Sequence, residues 1–388
     1  MTYSVYQHWD PLEVCAVGKS YSPEFYAYIE NPKIREVFER IARETEEDYQ
    51  KLITLLESFN VEIVRPNVSD NYLDYLDPLT NKIAAPPMEP RDYSIMLGEE
   101  FYFSLPASGQ ELWDLLKGDS WPTDLPSQHD FALLDDNIKL ELTQFHADIY
   151  SLYPTKSHNI NMWNELYNAV QPQLISATKE EHLRGINAAE CTRIGRDIYV
   201  GTNYYGQDTT KKIAWLNKNK PEYRWHSVDS GGHSDATFCP VKPGLIISLY
   251  DIPTYKDTFP GWEVVYLPGQ SWKEVRTFIE LKEKNKGKWW VPGEELNDEF
   301  TDYVEEWLGH WVGFVEETVF DVNMLVIDEQ NVVCNNYNKD VFDAFERHGI
   351  TPHIVNFRHR YFWDGGLHCI TSDISRRGTM QDYFPERG

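Results

Sequence analysis

His233-Ser-Asp235-Ala-Thr-Phe-Cys-Pro-Val-Lys-Pro-Gly-Leu-Ile-Ile-Ser248 is the stretch from which the architecture is read. Asp235 heads an apolar run over Ala236 to Val241, a Lys-Pro-Gly turn follows, and Leu245 to Ser248 makes a second run. Two such runs joined by a tight turn read as an antiparallel hairpin. Asp92 likewise leads into Ser94 to Leu97, a Gly-Glu-Glu turn and Phe101 to Ser104. Acidic heads also stand before the apolar runs at Asp10, Asp197 and Asp321. Strands entering a common centre would bring these carboxylates together. The spacing is too uneven for a solenoid. Acidic residues also precede strands as turn formers, and the pattern alone leaves that second account open.

Between the hairpins the period changes. Ile34, Val37, Phe38, Ile41, Tyr49, Leu52, Ile53 and Leu56 follow a 3.6-residue stripe, which predicts a helix from Pro32 to Phe59 stopped at Asn60, with Val61 to Val64 as a strand. The same order returns with a helix over Val341 to His348, Gly349 after its end and an extended His353 to Phe357. The span from Glu111 to Glu165 mixes signals and receives no assignment. No Pro-, Gly- or Ser-rich linker divides the chain, so residues 1–388 are read as one α/β domain.

The chain carries 62 acidic against 36 basic residues, a formal net charge of -26, which disfavours nucleic acid and anionic membrane as partners and favours small cations. A merely soluble acidic surface accounts for the charge as well. Five cysteines, Cys15, Cys191, Cys239, Cys334 and Cys369, are scattered and odd in number, so neither a disulfide framework nor a thiolate zinc site is expected. The N-terminal stretch lacks a basic and apolar leader and no apolar run reaches spanning length, so a cytoplasmic protein is expected.

Chemistry points to Asp364-Gly-Gly-Leu-His-Cys-Ile-Thr-Ser-Asp373. A thiol among small residues beside a histidine suggests an exposed nucleophile, with the two glycines giving backbone freedom and room for a ligand. His233 follows Ser230-Gly-Gly232 and suits a general acid/base, although a histidine bonding a nearby backbone group is the common alternative. His233, Asp235 and His368 form only a weak metal pattern, no phosphate-binding glycine motif is present, and neither metal nor cofactor is expected. Asp92, Glu190, Asp197 and Asp235 gathered around Cys369 would form an acidic pocket for a planar guanidinium, which carboxylates grip in pairs. The acids would raise the thiol pKa and a bound cation would lower it again.

At these residues the sequence resembles the glycine/inosamine amidinotransferase family of the guanidino-modifying, pentein superfamily. The resemblance runs through Trp9-Asp10-Pro-Leu-Glu13, Pro90-Arg91-Asp92, Ala188-Ala-Glu190 with Arg193-x-Gly195-Arg196-Asp197-Ile198, His233-x-Asp235-Ala-Thr-Phe238, Gly365-Gly-Leu-His-Cys369-x-Thr371-x-Asp373 and Arg376-Arg-Gly-Thr379. It implies a five-fold pseudosymmetric α/β propeller of ββαβ units and a homodimer. It also implies amidino transfer from an arginine-like guanidino donor to an amine acceptor through a covalent amidino-cysteine. Cys369 would be the nucleophile, His233 the acid/base and Glu190 its positioning carboxylate; Asp92 and Asp235 would hold the guanidinium, with Arg91, Asn323 and Asp364 also at the substrate.

The chain departs from the family pattern at Glu190, where close relatives carry Asp, and at Ile252, where relatives using amino acids carry a carboxylate-binding arginine. Asp364 and Asp321-Val322 depart as well, and both changes add negative charge. A donor or acceptor with an extra amine in place of a carboxylate is therefore expected. Two other functions compete: a guanidino hydrolase of deiminase or dihydrolase type on the same residues, and a catalytically silent binding protein. A papain-like protease fits poorly, because Cys369 follows His233 near the chain end.

Overall fold

The computed structural model describes residues 2–76, 83–103, 162–170, 173–175, 188–202, 209–230, 233–249, 254–267, 289–309, 311–312, 322–363 and 365–387. Among the described residues, fifteen strands form five three-stranded sheets of one design. The first has β1 (Leu12–Val17), α1 (Pro32–Ser58) and β2 (Glu62–Val64). The second has β3 (Ser94–Leu97), β4 (Glu100–Phe103), α2 (Asn164–Val170) and β5 (Leu174–Ile175). The third has β6 (Cys191–Ile194), β7 (Asp197–Thr202), α3 (Thr209–Asn219) and β8 (Arg224–Asp229). The fourth has β9 (Phe238–Lys242), β10 (Leu245–Ser248), α4 (Tyr255–Thr258) and β11 (Glu263–Tyr266). The fifth has β12 (Leu325–Asp328), β13 (Asn331–Cys334), α5 (Lys339–His348) and β14 (Thr351–Ile354).

In the last four sheets the middle strand runs antiparallel to the strand before it and parallel to the strand after it. A tight turn suffices for the antiparallel step, whereas the parallel step needs a crossover and receives a helix. The first sheet lacks a preceding hairpin strand and takes β15 (Thr371–Arg376) from the end of the chain, antiparallel to β1. That pairing sets the segment just before β15, with Cys369, beside the start of the chain.

Local chemistry explains the boundaries. α1 starts where the Asn31 side chain accepts the Lys33 N–H, and ends before Asn60, which takes a positive φ of 62°. α5 begins at Lys339, two residues ahead of the sequence expectation, because Asn338 Oδ1 accepts the N–H groups of Asp340 and Val341; it ends on left-handed Gly349. The strand expected at His353 to Phe357 lies at Thr351–Ile354, since its parallel partner β13 ends opposite Ile354. The run expected to start at Ala236 is a tight turn over Ser234–Ala236 and becomes strand only at Phe238. Ser104 and nearly all of Glu111 to Glu165 lie outside the described residues.

The apolar face of α1 buries Phe38, Ile41, Leu52 and Leu56 in the largest core cluster, alongside Phe300, Phe362 and Trp363. Full burial of each such side chain is worth about 1.5–3 kcal/mol. Among the described residues no helix is long and apolar enough to cross a membrane.

Candidate active site

Three short turns meet at the site: the helix Pro90–Tyr93 carrying Asp92, the turn Ala188–Glu190, and the turn Ser234–Ala236 that follows His233 and carries Asp235. The last two are stitched together. Ser234 Oγ donates to the Ala189 carbonyl at 3.2 Å and shares a 2.7 Å hydrogen bond with Thr192 Oγ1. Half-buried His233 opens the turn and acts electrostatically on Asp235.

The Cys369 segment is clamped by Asn323. Asn323 Oδ1 accepts the N–H groups of His368 at 2.8 Å and Cys369 at 3.0 Å, while its Nδ2 donates to Cys369 Sγ at 2.9 Å. Gly366 is required by this clamp: a Cβ there would stand 2.5 Å from Asn323 Oδ1. Neither Gly365 nor Gly366 takes positive φ, so these glycines serve close approach by the protein's own side chains. Asn323, expected at the substrate, directs its amide to this segment and to the thiol.

The thiol reaches Asp235 Oδ2 at 3.5 Å, and the same oxygen is 2.7 Å from His368 Nδ1. Asp235 Oδ1 is buried with no hydrogen-bond partner. Cys369 is not the exposed nucleophile expected from its small neighbours: it is 3% exposed, because the turn at Asp235 and the Asn323 side chain pack directly on it. Burial pushes its pKa well above the ordinary thiol value, and the Asp235, Asp92 and Glu89 carboxylates push it further. Burial also pushes Asp235 upward, but the His368 hydrogen bond and nearby positive charge outweigh it and leave the carboxylate below its usual range. His368 is pushed down to about 4 by burial, then by Arg91. A neutral imidazole facing an ionised carboxylate must carry its proton on Nδ1 and donate it to Asp235.

Behind the thiol, Asp373 on β15 receives Arg91 at 3.0 Å, Arg193 at 2.6 and 2.8 Å, and Arg376 at 2.7 Å, with all four side chains at most 2% exposed. Arg91 Nε also donates to the carbonyls of His368 and Thr371, both at 3.1 Å. Arg91, expected at the substrate, thus has its guanidinium occupied in anchoring the Cys369 segment. Burial would raise Asp373, yet Arg193, Arg91 and Arg376 hold it well below the carboxylate range.

Asp197 does not join the pocket; it binds Arg224, His226 and Arg387. It pairs with Ile194 at the turn of the β6–β7 hairpin, whereas Glu190 immediately precedes β6 at the other end. At about 3.4 Å per residue the hairpin separates the two acids. Asp10 likewise lies elsewhere, beside Gln7 and Gly378. Asp364, Asp321 and Ile252 fall outside the described residues. In the sequence, Asp373, Arg193 and Arg376 stand within the motifs without a role of their own, and His368 stands out only as a metal candidate. The adjacency of His368 to Cys369 and the repeated arginines were the available signals.

A buried thiol touching an ionised carboxylate thus lies where turns from repeated α/β sheets come together, the setting of a cysteine-centred site. No family model matches the chain. It is 26% identical over 419 residues to "Glycine amidinotransferase, mitochondrial" of Xenopus tropicalis, covering 98% of this chain and 84% of that protein. Among solved structures it resembles the amidinotransferase SxtG from Microseira wollei, with a TM-score of 0.60 and 18% identity over 98% of this chain and 99% of that one. It also resembles the inosamine-phosphate amidinotransferase StrB1 from Streptomyces griseus, with a TM-score of 0.56, 18% identity and the same coverage. The two structures show the fold. The similarity to the curated amidinotransferase runs through nearly the whole of this chain.

Proposed function

We propose that Cys369 carries the amidino group between a guanidino donor and an amine acceptor. The observation that carries this reading is the Asp235 carboxylate, which meets the thiol through one oxygen and keeps the other buried without a hydrogen-bond partner. A buried acceptor of this kind calls for an N–H donor beside sulfur, and a guanidinium supplies one on a positive group. Asp92, whose charge acts on the same thiol, is the second carboxylate for that cation.

Sulfur forms a bond to the amidino carbon, the bond from that carbon to the leaving nitrogen breaks, and the thiol proton passes through His233 to the departing amine. The acceptor amine then forms its bond to carbon, the C–S bond breaks, and the acceptor's proton returns to sulfur by the same route. Glu190 orients His233. The thiol is held protonated until a cation arrives, because the flanking carboxylates oppose a thiolate and a bound guanidinium favours one. The acidic departures support a cationic amine on donor or acceptor.

As parts of the same proposal, residues 1–388 form one catalytic domain and the five sheets close into a five-fold propeller. The pairing of β15 with β1 supports the closure. Scattered cysteines, odd in number, suit a cytoplasmic setting, and the homodimer rests on the resemblance alone. The test is intact-mass and peptide spectrometry after exposure to arginine and to agmatine, looking for an amidino adduct on Cys369. Absence of an adduct with both donors would count against the reading. A labelled donor then separates transfer from hydrolysis: a new guanidino compound appearing only with added amine supports transfer, and urea, citrulline or carbamoylputrescine alone supports the hydrolase.

A further inference from the structure

Asp235 has a task that a freely rotating carboxylate could not perform. The torsion at the end of an aspartate side chain is broad and two-fold, so two equivalent oxygens exchange places unless one is held. Here Oδ2 is held by His368 Nδ1 at 2.7 Å and also faces the thiol, while Oδ1 is left open. His368 is itself immobilised. Its N–H is bound by Asn323, its carbonyl accepts from Arg91 at 3.1 Å and from Thr371 Oγ1 at 3.2 Å, and its ring lies 5.4 Å from the His8 ring.

The groups acting on the imidazole are Asp235, Arg91, Asp373 and His8. Its environment keeps it neutral near pH 7, so it has a donor to offer at Nδ1 and no spare proton to transfer. That sets it apart from a general acid at this pH.

We propose that His368 is a positioning residue that determines how tightly the guanidino donor is held: it locks Asp235 with one oxygen beside the thiol and the other presented to an N–H group of the donor. The inference rests on the amidino-cysteine reading and deepens it. Because the lock acts on donor recognition, its loss should appear in the donor concentration needed and far less in the saturated rate. His368→Leu removes the donor atom, whereas His368→Asn returns an N–H near the position of Nδ1.

The experiment measures formation of the Cys369 adduct against arginine and agmatine concentration, alongside the pH dependence of Cys369 alkylation by iodoacetamide. For His368→Leu the half-saturating donor concentration should rise about tenfold, the ordinary worth of a hydrogen bond to a charged group, and His368→Asn should restore most of it. The alkylation rise should move to higher pH in His368→Leu, where Asp235 presents undivided charge to sulfur, and return in His368→Asn. An unchanged donor dependence in His368→Leu, or equal loss in both variants, overturns the proposal. If the parent forms no adduct, the proposed function fails, and the alkylation shift alone decides the role of His368. Should His368→Leu not fold, 15N imidazole spectra of the parent decide: an Nδ1 without its proton at neutral pH refutes the lock.

Discussion

Asp373→Asn tests the frame behind the thiol. One carboxylate balances Arg91, Arg193 and Arg376, all at most 2% exposed, and joins the leading helix of the second sheet, the β6 hairpin and β15. Removing one partner from a buried ion pair ordinarily destabilises by about 3–5 kcal/mol, because the remaining charge stays buried and uncompensated. For a two-state transition of 388 residues, an unfolding entropy of about 2.1 cal/mol/K per residue gives roughly 0.8 kcal/mol/K. The melting temperature measured by calorimetry at pH 7 should therefore fall by roughly 4–6 °C.

Salt should not abolish this difference, since buried pairs are poorly screened. The folded pKa of Asp373 lies well below its unfolded value of about 3.9. Its stabilisation is therefore fully present above that value and is lost as pH falls through the folded one. The gap between parent and variant should stay constant from neutral pH down to about 5 and narrow below about 4. A melting temperature within about 1 °C of the parent, or a gap that widens in acid, would refute this balance of buried charges.

Further outcomes follow from the same geometry. Cys369→Ala and His233→Ala should each abolish turnover with melting temperature nearly unchanged, and retained turnover in either variant removes the assigned role. Asp92→Asn should weaken donor binding by about one charge-assisted hydrogen bond, tenfold or more in half-saturating concentration; an unchanged value would remove Asp92 from the donor site. Gly366→Ala should lower stability by about 1–3 kcal/mol, because the new methyl meets Asn323 at 2.5 Å, and denaturant titration reads the change. His368, neutral in the fold down to about 4 and near 6.5 when unfolded, should make stability fall on the order of 3 kcal/mol as pH drops between those values. Melting profiles of the parent and His368→Asn should diverge over that range.

Periodicity and turn chemistry made much of the fold legible: the α1 stripe, the hairpins headed by Asp92 and Asp235, and the cap at Gly349 all follow from nearest neighbours in the chain. Boundaries such as Thr351–Ile354 did not, since strand pairing with β13 sets them. Acidic strand heads were visible as a pattern, but the pattern could not sort Asp92 and Asp235 from Asp10 and Asp197. Each head faces whatever its own hairpin end meets, and for Asp197 that is a cluster of basic side chains.

Residue types alone determined that this chain offers a thiol, an imidazole and repeated carboxylates from which a site can be built. Tertiary structure decided that the thiol is buried, that Asn323 and His368 hold the groups around it, and that Arg91 supports the frame from behind. The division has a physical cause. Side-chain chemistry and helical or strand period are properties of short segments, whereas burial, charge balance and the aim of a carboxylate depend on partners more than a hundred residues away, as Asp235 and His368 are.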